Sequence, residues 1–279
     1  MLLDLHCKKT NLSENVTVVT SFFDIGTFRK GGPTRLYSPE LYWNWMKCYG
    51  SMLNPVIAFF DNDTIRKEFQ IIRQPLGENY TKAFLVKRSD LWAFNLRENI
   101  SRIFNKPGYP RYHPDSANPE YSCAMHAKYE EILITTKANF FCTRYFAWID
   151  IGYFRKEYMS PFEIWIPTNF NSSLVAYTEM KDREPELDPK RIVSTKAIWL
   201  AGGFFIGEIS VMRRLAEQYM RTVELMIRQY EVMSSDQQVL YVLGNYGQGD
   251  TLIQPYRTPN HCRHLGYACA TKGQNRHKN

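Results

Sequence analysis

The chain has 279 residues, 44% of them hydrophobic and 23% charged, with a formal net charge of +7. That length can bury a large core, and the lack of any long uninterrupted apolar run excludes a membrane-spanning helix within the sequence. Basic residues are scattered among carboxylates, with no dense basic run before the C-terminal KGQNRHKN, so the charge suits a small anionic ligand such as a nucleotide diphosphate and argues against nucleic acid.

Residues 15–23 (NVTVVTSFF) are β-branched and apolar on both faces, the pattern of a strand covered on both sides. A loop with Gly26, Gly31, Gly32 and Pro33 follows. Ser38 is a helix N-cap with Pro39 at the first helical position, and the helix runs to Gly50. Residues 55–61 (PVIAFFD) read as a second buried strand ending in a carboxylate. Thr64 is expected to cap a helix reaching Gln74, residues 81–87 form a third strand, and 90–103 a further helix. After a proline-rich irregular stretch, residues 120–138 read as a helix with Met125, Tyr129, Ile132, Leu133 and Thr136 on one face.

That helix leads into YFAWIDIGYF, residues 145–154. A buried, unpaired carboxylate costs several kcal/mol, so the strand is expected to cover 145–149 and to end at Asp150. Residues 174–178 and 192–195 are read as shorter strands, and 198–208 (IWLAGGFFIGE) as an apolar run holding a double glycine. An amphipathic helix over 209–230 carries Met212, Met220 and Met226 toward the core. Ser234-Ser235-Asp236 opens another helix, and 251–256 is the last expected strand. The alternation of strands and helices predicts one α/β domain over 1–279, with 1–14 as an N-terminal extension and 265–279 as a flexible C-terminal tail.

The six cysteines, Cys7, Cys48, Cys123, Cys142, Cys262 and Cys269, show no CxxC spacing, which argues against a zinc ribbon. Cys262 and Cys269 are near enough in sequence to close a tail loop through a disulfide if the protein is lumenal, while in a cytosolic protein the cysteines read as buried free thiols. Six sequons, at Asn11, Asn15, Asn62, Asn79, Asn99 and Asn171, point to a glycoprotein in the secretory-pathway lumen, Golgi or endoplasmic reticulum, with any anchor trimmed. In a bacterial chain the same sequence reads as cytoplasmic.

Ligands of open α/β sheets bind beyond the carboxyl ends of the strands. Residues 21–24, Asp61 with Asp63, and Asp150 occupy such ends here, where a carboxylate can hold a ribose hydroxyl, a base N–H or a divalent cation bridging phosphates. Each also has a plainer use. Asp150 caps a turn closed by Gly152, Asp61 makes an Asx turn, Lys128 faces solvent, Gly202 and Gly203 form a bulge, and Asp236 is a first-turn helix acid.

Taken in order, VTVVTSFFDIGTFR, AKYEEILITTKA, FAWIDIGYF and GGFFIGE resemble the HtrL/YibB (WlaTC) family over residues 16–264. That family is assigned to the GT-A glycosyltransferase fold. The resemblance therefore implies a GT-A-type Rossmann-like, mostly parallel sheet flanked by helices. It also implies an enzyme, a hexosyltransferase-type glycosyltransferase, that moves a sugar from a nucleotide-sugar donor, expected to be a UDP-sugar, to a glycan, glycoprotein or glycolipid acceptor. Joined to the strand-tip residues, it implies donor contacts at Thr20, Phe22, Phe23, Asp61, Arg88, Lys128, Asp150, Gly152, Gly202 and Gly203. Asp236 is the implied catalytic residue, and Glu208 the second candidate for a base.

Many GT-A enzymes hold a divalent metal with a DxD motif at a strand end. Asp150 matches the first acid of that motif, while Gly152 stands at the second. The expected ion, Mn2+, then takes Asp150 and a late histidine, His264 or the neighbouring His261. Without metal, Lys128, Arg88, Arg29 or Arg35 neutralises the diphosphate. A rival reading keeps the fold but not the turnover, as a lumenal protein that binds a glycan or nucleotide-sugar. A nucleotide-binding enzyme of another reaction class is disfavoured, because the chain has neither a P-loop nor GxGxxG.

Overall fold

The computed structural model describes residues 12–32, 34–155, 160–247, 251–257 and 262–272. In chain order the elements are β1 (Ser13–Phe22), β2 (Phe28–Arg29), β3 (Leu36–Tyr37), α1 (Pro39–Met46), β4 (Val56–Phe60), α2 (Asp63–Arg73), β5 (Thr81–Leu85), α3 (Trp92–Asn95), α4 (Arg97–Phe104) and α5 (Pro119–Ala138). There follow β6 (Thr143–Ile149), β7 (Phe162–Ile164), β8 (Val175–Glu179), α6 (Pro189–Ser194), β9 (Leu200–Glu208), α7 (Ile209–Leu225), α8 (Asp236–Tyr246), β10 (Ile253–Arg257), α9 (His264–Cys269) and β11 (Ala270–Lys272).

The main sheet has seven strands in the order β10-β8-β9-β6-β1-β4-β5. All its pairings are parallel except those of β9, which runs antiparallel to both β6 and β8. This is the α/β class and mostly parallel sheet expected from the sequence. Alternation along the strands feeds two cores. Val19, Ile57, Phe146, Trp148 and Phe205 face the layer of α3, α4, α5, α7 and α8, while Val18, Ala58, Ala147, Ile149 and Ile206 face the layer containing α1, α2 and α9.

The direction of β9 positions the site. Because β1 and β6 are parallel, their carboxyl ends share one sheet edge, and antiparallel β9 brings its beginning to that edge. Ile149 is in register with Phe204, and the Asp150 N–H donates to the Gly203 carbonyl at 2.9 Å.

Several expectations are corrected. Residues 192–195 lie on α6 and its C-cap, not in a strand: the Asp188 carboxylate accepts from the N–H groups of Lys190 and Arg191, and Pro189 opens the helix. The cap of α2 is Asn62, whose side chain accepts from the N–H groups of Thr64 and Ile65. The helix expected over 90–103 is two, broken at Leu96. Residues 265–272 are no flexible tail, since α9 buries Leu265 and Cys269 and β11 pairs antiparallel with β7.

Cys262 and Cys269 are free thiols, so they do not close the expected loop, whereas Cys142 is disulfide-bonded. Asn15, Asn79 and Asn171 are exposed, and Asn11 lies outside the described residues. Among the described residues no helix is long and apolar enough to cross a membrane.

Candidate functional site

Lys128 lies on α5 behind the edge where β1, β6 and β9 meet, and only 2% of its side chain is exposed. Its ammonium donates to Asp236 Oδ2 at 2.8 Å and to the Gly202 carbonyl at 3.1 Å, and lies 2.9 Å from Asp150 Oδ1. Three acceptors thus match its three N–H groups. Trp148, the penultimate residue of β6, donates from Nε1 to the same Asp150 oxygen at 2.8 Å. Burial alone lowers the lysine pKa, but Asp150 and Asp236 more than reverse this and keep the ammonium protonated. Burial raises the Asp236 pKa, partly offset by Lys128, while for Asp150 the effect of burial is outweighed by Lys128 and Trp148, and its pKa falls.

Asp236 is the first residue of α8, where the helix dipole also favours a carboxylate. The segment before it has no regular structure, and side chains hold it from outside. Tyr109 Oη accepts from the Met233 N–H at 2.8 Å and donates to the Met233 carbonyl at 2.6 Å. Ser122 Oγ donates to the Ser234 carbonyl at 2.7 Å, and His126 bridges Ser122 to the Tyr219 hydroxyl. Burial, then Lys128, holds the His126 pKa down at about 3, so the imidazole is neutral.

Two cavities meet at this group. One is walled by Phe22, Phe23, Phe28, Tyr42, Tyr121 and Trp148. The other is lined by Gly202, Gly203, Asp236 and Gln237 and by the cations Lys30, Arg35, Arg155, Lys196 and Arg263. Lys30, Tyr121, Met125, Lys128 and Asp150 line both. The site therefore joins an aromatic chamber to a cationic one across a lysine held by two carboxylates.

Of the residues singled out in the sequence, Asp150, Lys128, Phe22, Phe23, Gly152, Gly202, Gly203, Asp236 and Arg35 come together here. Four others do not. Thr20 is buried within the sheet and accepts from the Tyr49 hydroxyl. Asp61 accepts from the Asp24 N–H and is ion-paired to Arg88, and that latch lines neither cavity. Glu208 is in register with Tyr145 at the opposite end of β6, about 13 Å of strand from Ile149. Its carboxylate caps α7 by accepting from the Ser210 N–H, so it cannot act as a base at this site. Sequence reasoning missed Tyr42, Tyr121, Lys30 and Arg155, although Arg155 lies only five residues beyond Asp150.

The residues do not fit the divalent cation expected at Asp150 and His264. A Cβ on Gly152 would stand 2.5 Å from Trp45 Cε3, so a second acid has no room there. Asp150 Oδ1 already faces Trp148 and Lys128, and the ammonium repels another cation beside it. His264 is exposed and lines neither cavity, and His261 lies outside the described residues. Among the described residues no group of three or more His, Cys, Asp or Glu is arranged to hold a metal ion.

The family profile described as "Bacterial protein of unknown function (HtrL_YibB)" matches residues 14–253. No curated protein is similar enough to match. Among solved structures, the crystal structure of apo mouse xyloside xylosyltransferase 1 is similar with a TM-score of 0.42 and 9% sequence identity, over 87% of this chain and 85% of that one. With a match spanning residues 14–253, the chain belongs to the HtrL_YibB family.

Proposed function

We propose that the protein is a glycosyltransferase that moves a sugar from a nucleotide-sugar donor to an acceptor hydroxyl of a glycan or glycoconjugate. One observation carries the reading: an aromatic chamber opens onto a cationic one at the Lys128–Asp150–Asp236 group, at the carboxyl edge of a mostly parallel sheet. A nucleotide-sugar has the same sequence of chemistries, a flat base, an anionic diphosphate and a hydroxyl-rich ring. The aromatic walls suit the base, and Lys30 between the chambers suits the diphosphate. Uridine is the base assigned, following the family resemblance.

In this reading the transferred sugar lies over Gly202 and Gly203, beside Asp236. The bond from its anomeric carbon to the diphosphate oxygen breaks, and the electron pair leaves with the diphosphate. The acceptor oxygen forms the new bond and gives its proton to the Asp236 carboxylate. Two carboxylates against one ammonium leave a net negative charge next to the oxocarbenium-like centre, which stabilises it. Lys128 pairs with both acids and favours their ionised forms against the effect of burial.

A thermal-shift screen of nucleoside diphosphates and nucleotide-sugars tests the reading, because a ligand of the native state raises its melting temperature. A shift with UDP or a UDP-sugar, followed by release of UDP from that donor, is the expected result. No shift with any nucleotide would contradict it. A shift without turnover, in the presence of a range of acceptors, would favour a binding protein instead.

A further inference from the structure

We propose that two arginines, Arg35 and Arg155, bind the donor diphosphate as fixed cations, so that donor binding requires no divalent metal; this rests on the glycosyltransferase reading. Both line the cationic chamber. The Arg155 guanidinium carbon lies 4.2 Å from the Trp45 ring centroid and 5.6 Å from that of Tyr37, and Arg35 lies 5.3 Å from the same Tyr37 ring. Two guanidinium groups therefore stand around one aromatic ring.

Among the described residues neither has a carboxylate partner. Elsewhere in the chamber Lys128 is paired with Asp150 and Asp236, and Lys196 with Asp115 at 2.7 Å. Among the described residues the Arg155 side chain donates from Nε to the Gly152 carbonyl at 3.2 Å, and the Arg35 side chain has its ring contact. Two like charges held near each other repel unless an anion sits between them, and planar guanidinium groups match phosphate oxygens in pairs.

The location is as informative as the charge. Trp45 fills the space in which a second metal-binding acid would stand at position 152, and the same ring carries Arg155. The packing that removes an acid at this strand end thus supplies a cation in its place. Lys30, which donates to the Tyr121 hydroxyl at 2.6 Å, adds a third positive charge at the boundary between the chambers.

Calorimetric titration of the full chain with inorganic pyrophosphate and with UDP, each in excess EDTA and in Mn2+, tests this. Both anions are expected to bind in EDTA, with UDP displacing pyrophosphate. Arg155→Gln and Arg35→Gln should each weaken both by about tenfold, the loss of one charge-assisted contact, while leaving uridine binding and the melting temperature unchanged. Binding that appears only with Mn2+, or UDP affinity that is indifferent to both substitutions, would overturn the proposal and leave the glycosyltransferase reading standing. Failure of UDP to displace bound pyrophosphate would overturn the assignment of this anion site to the donor. Pyrophosphate binding without binding of any nucleotide would instead remove the glycosyltransferase reading, and the donor role of the arginines with it.

Discussion

The Asp236 carboxylate packs directly on Gly202: a Cβ at that glycine would overlap Asp236 Oδ2 and stand 2.7 Å from its Cγ. Gly202 therefore sets where the acid lies, and Lys128, bonded to both the Gly202 carbonyl and the acid, locks the arrangement. Gly202→Ala should push Asp236 off Lys128. A misplacement on the order of 1 Å at a reacting group costs about a hundredfold in rate. Steady-state UDP release by a variant with a native circular-dichroism spectrum checks this, and wild-type kcat would count against it.

Lys128 neutralises two acids, so removing it should be more damaging than removing either. Lys128→Met leaves buried carboxylates uncompensated, at a cost of about 3–5 kcal/mol in unfolding free energy. Adding Asp236→Asn should recover part of that loss, because the partners are coupled. Urea unfolding of the two singles and the double forms the cycle, and additive losses would show that the bond has no energetic weight.

His126 should make the fold sensitive to acid. Its pKa in the folded chain is lowered to about 3, against 6.5 ordinarily, mainly by burial. The unfolded chain thus takes up the proton first as pH falls. The stabilisation is complete above pH 6.5 and is lost on acidification towards 3. Glu131, buried and, among the described residues, in no ion pair, acts in the opposite sense: its raised pKa gives stability that is complete below pH 4.5 and is lost as pH rises through the folded value. The stability advantage of wild type over His126→Gln should shrink by about 1.4 kcal/mol for each pH unit below 6.5. An advantage that does not change between neutral pH and mildly acidic pH would contradict this assignment.

Glu208→Gln should leave catalysis unchanged, because the residue caps α7 at the far end of β9. Weakening that cap should cost about 1 kcal/mol or less. A drop in kcat without loss of stability would return Glu208 to the site.

The part of the site that was legible in the sequence is the part governed by burial. An apolar strand cannot carry an unpaired acid, so Asp150 had to be a strand tip, and the sheet rule then made it a ligand position. Strand direction was not legible. The same glycine-containing run suits either direction, and only pairing with β6 shows that Gly203 reaches Asp150 while Glu208 is carried away from it. Gly152 looked like a missing acid, but the space is filled by Trp45 from a distant helix, which no local pattern reveals. Lys128 had a usable signal, since it lies three residues after Met125 and four before Ile132, on the inward face of α5. Its partner Asp236 is 108 residues away in sequence, and that distance hid the ion pair. Residues 192–195 have a strand-like composition, with β-branched Ile192, Val193 and Thr195, although the Asp188-Pro189 start signal preceding them decides for a helix.

Asp236→Asn, the substitution that keeps the shape and removes the charge, tests the reaction centre most directly. With a nucleotide-sugar that binds the wild type, release of the nucleoside diphosphate should fall by at least about a hundredfold, as expected for loss of a general base, while donor affinity stays within about threefold. Turnover at the wild-type rate in that variant would contradict the assignment of the Lys128–Asp150–Asp236 group as the reaction centre.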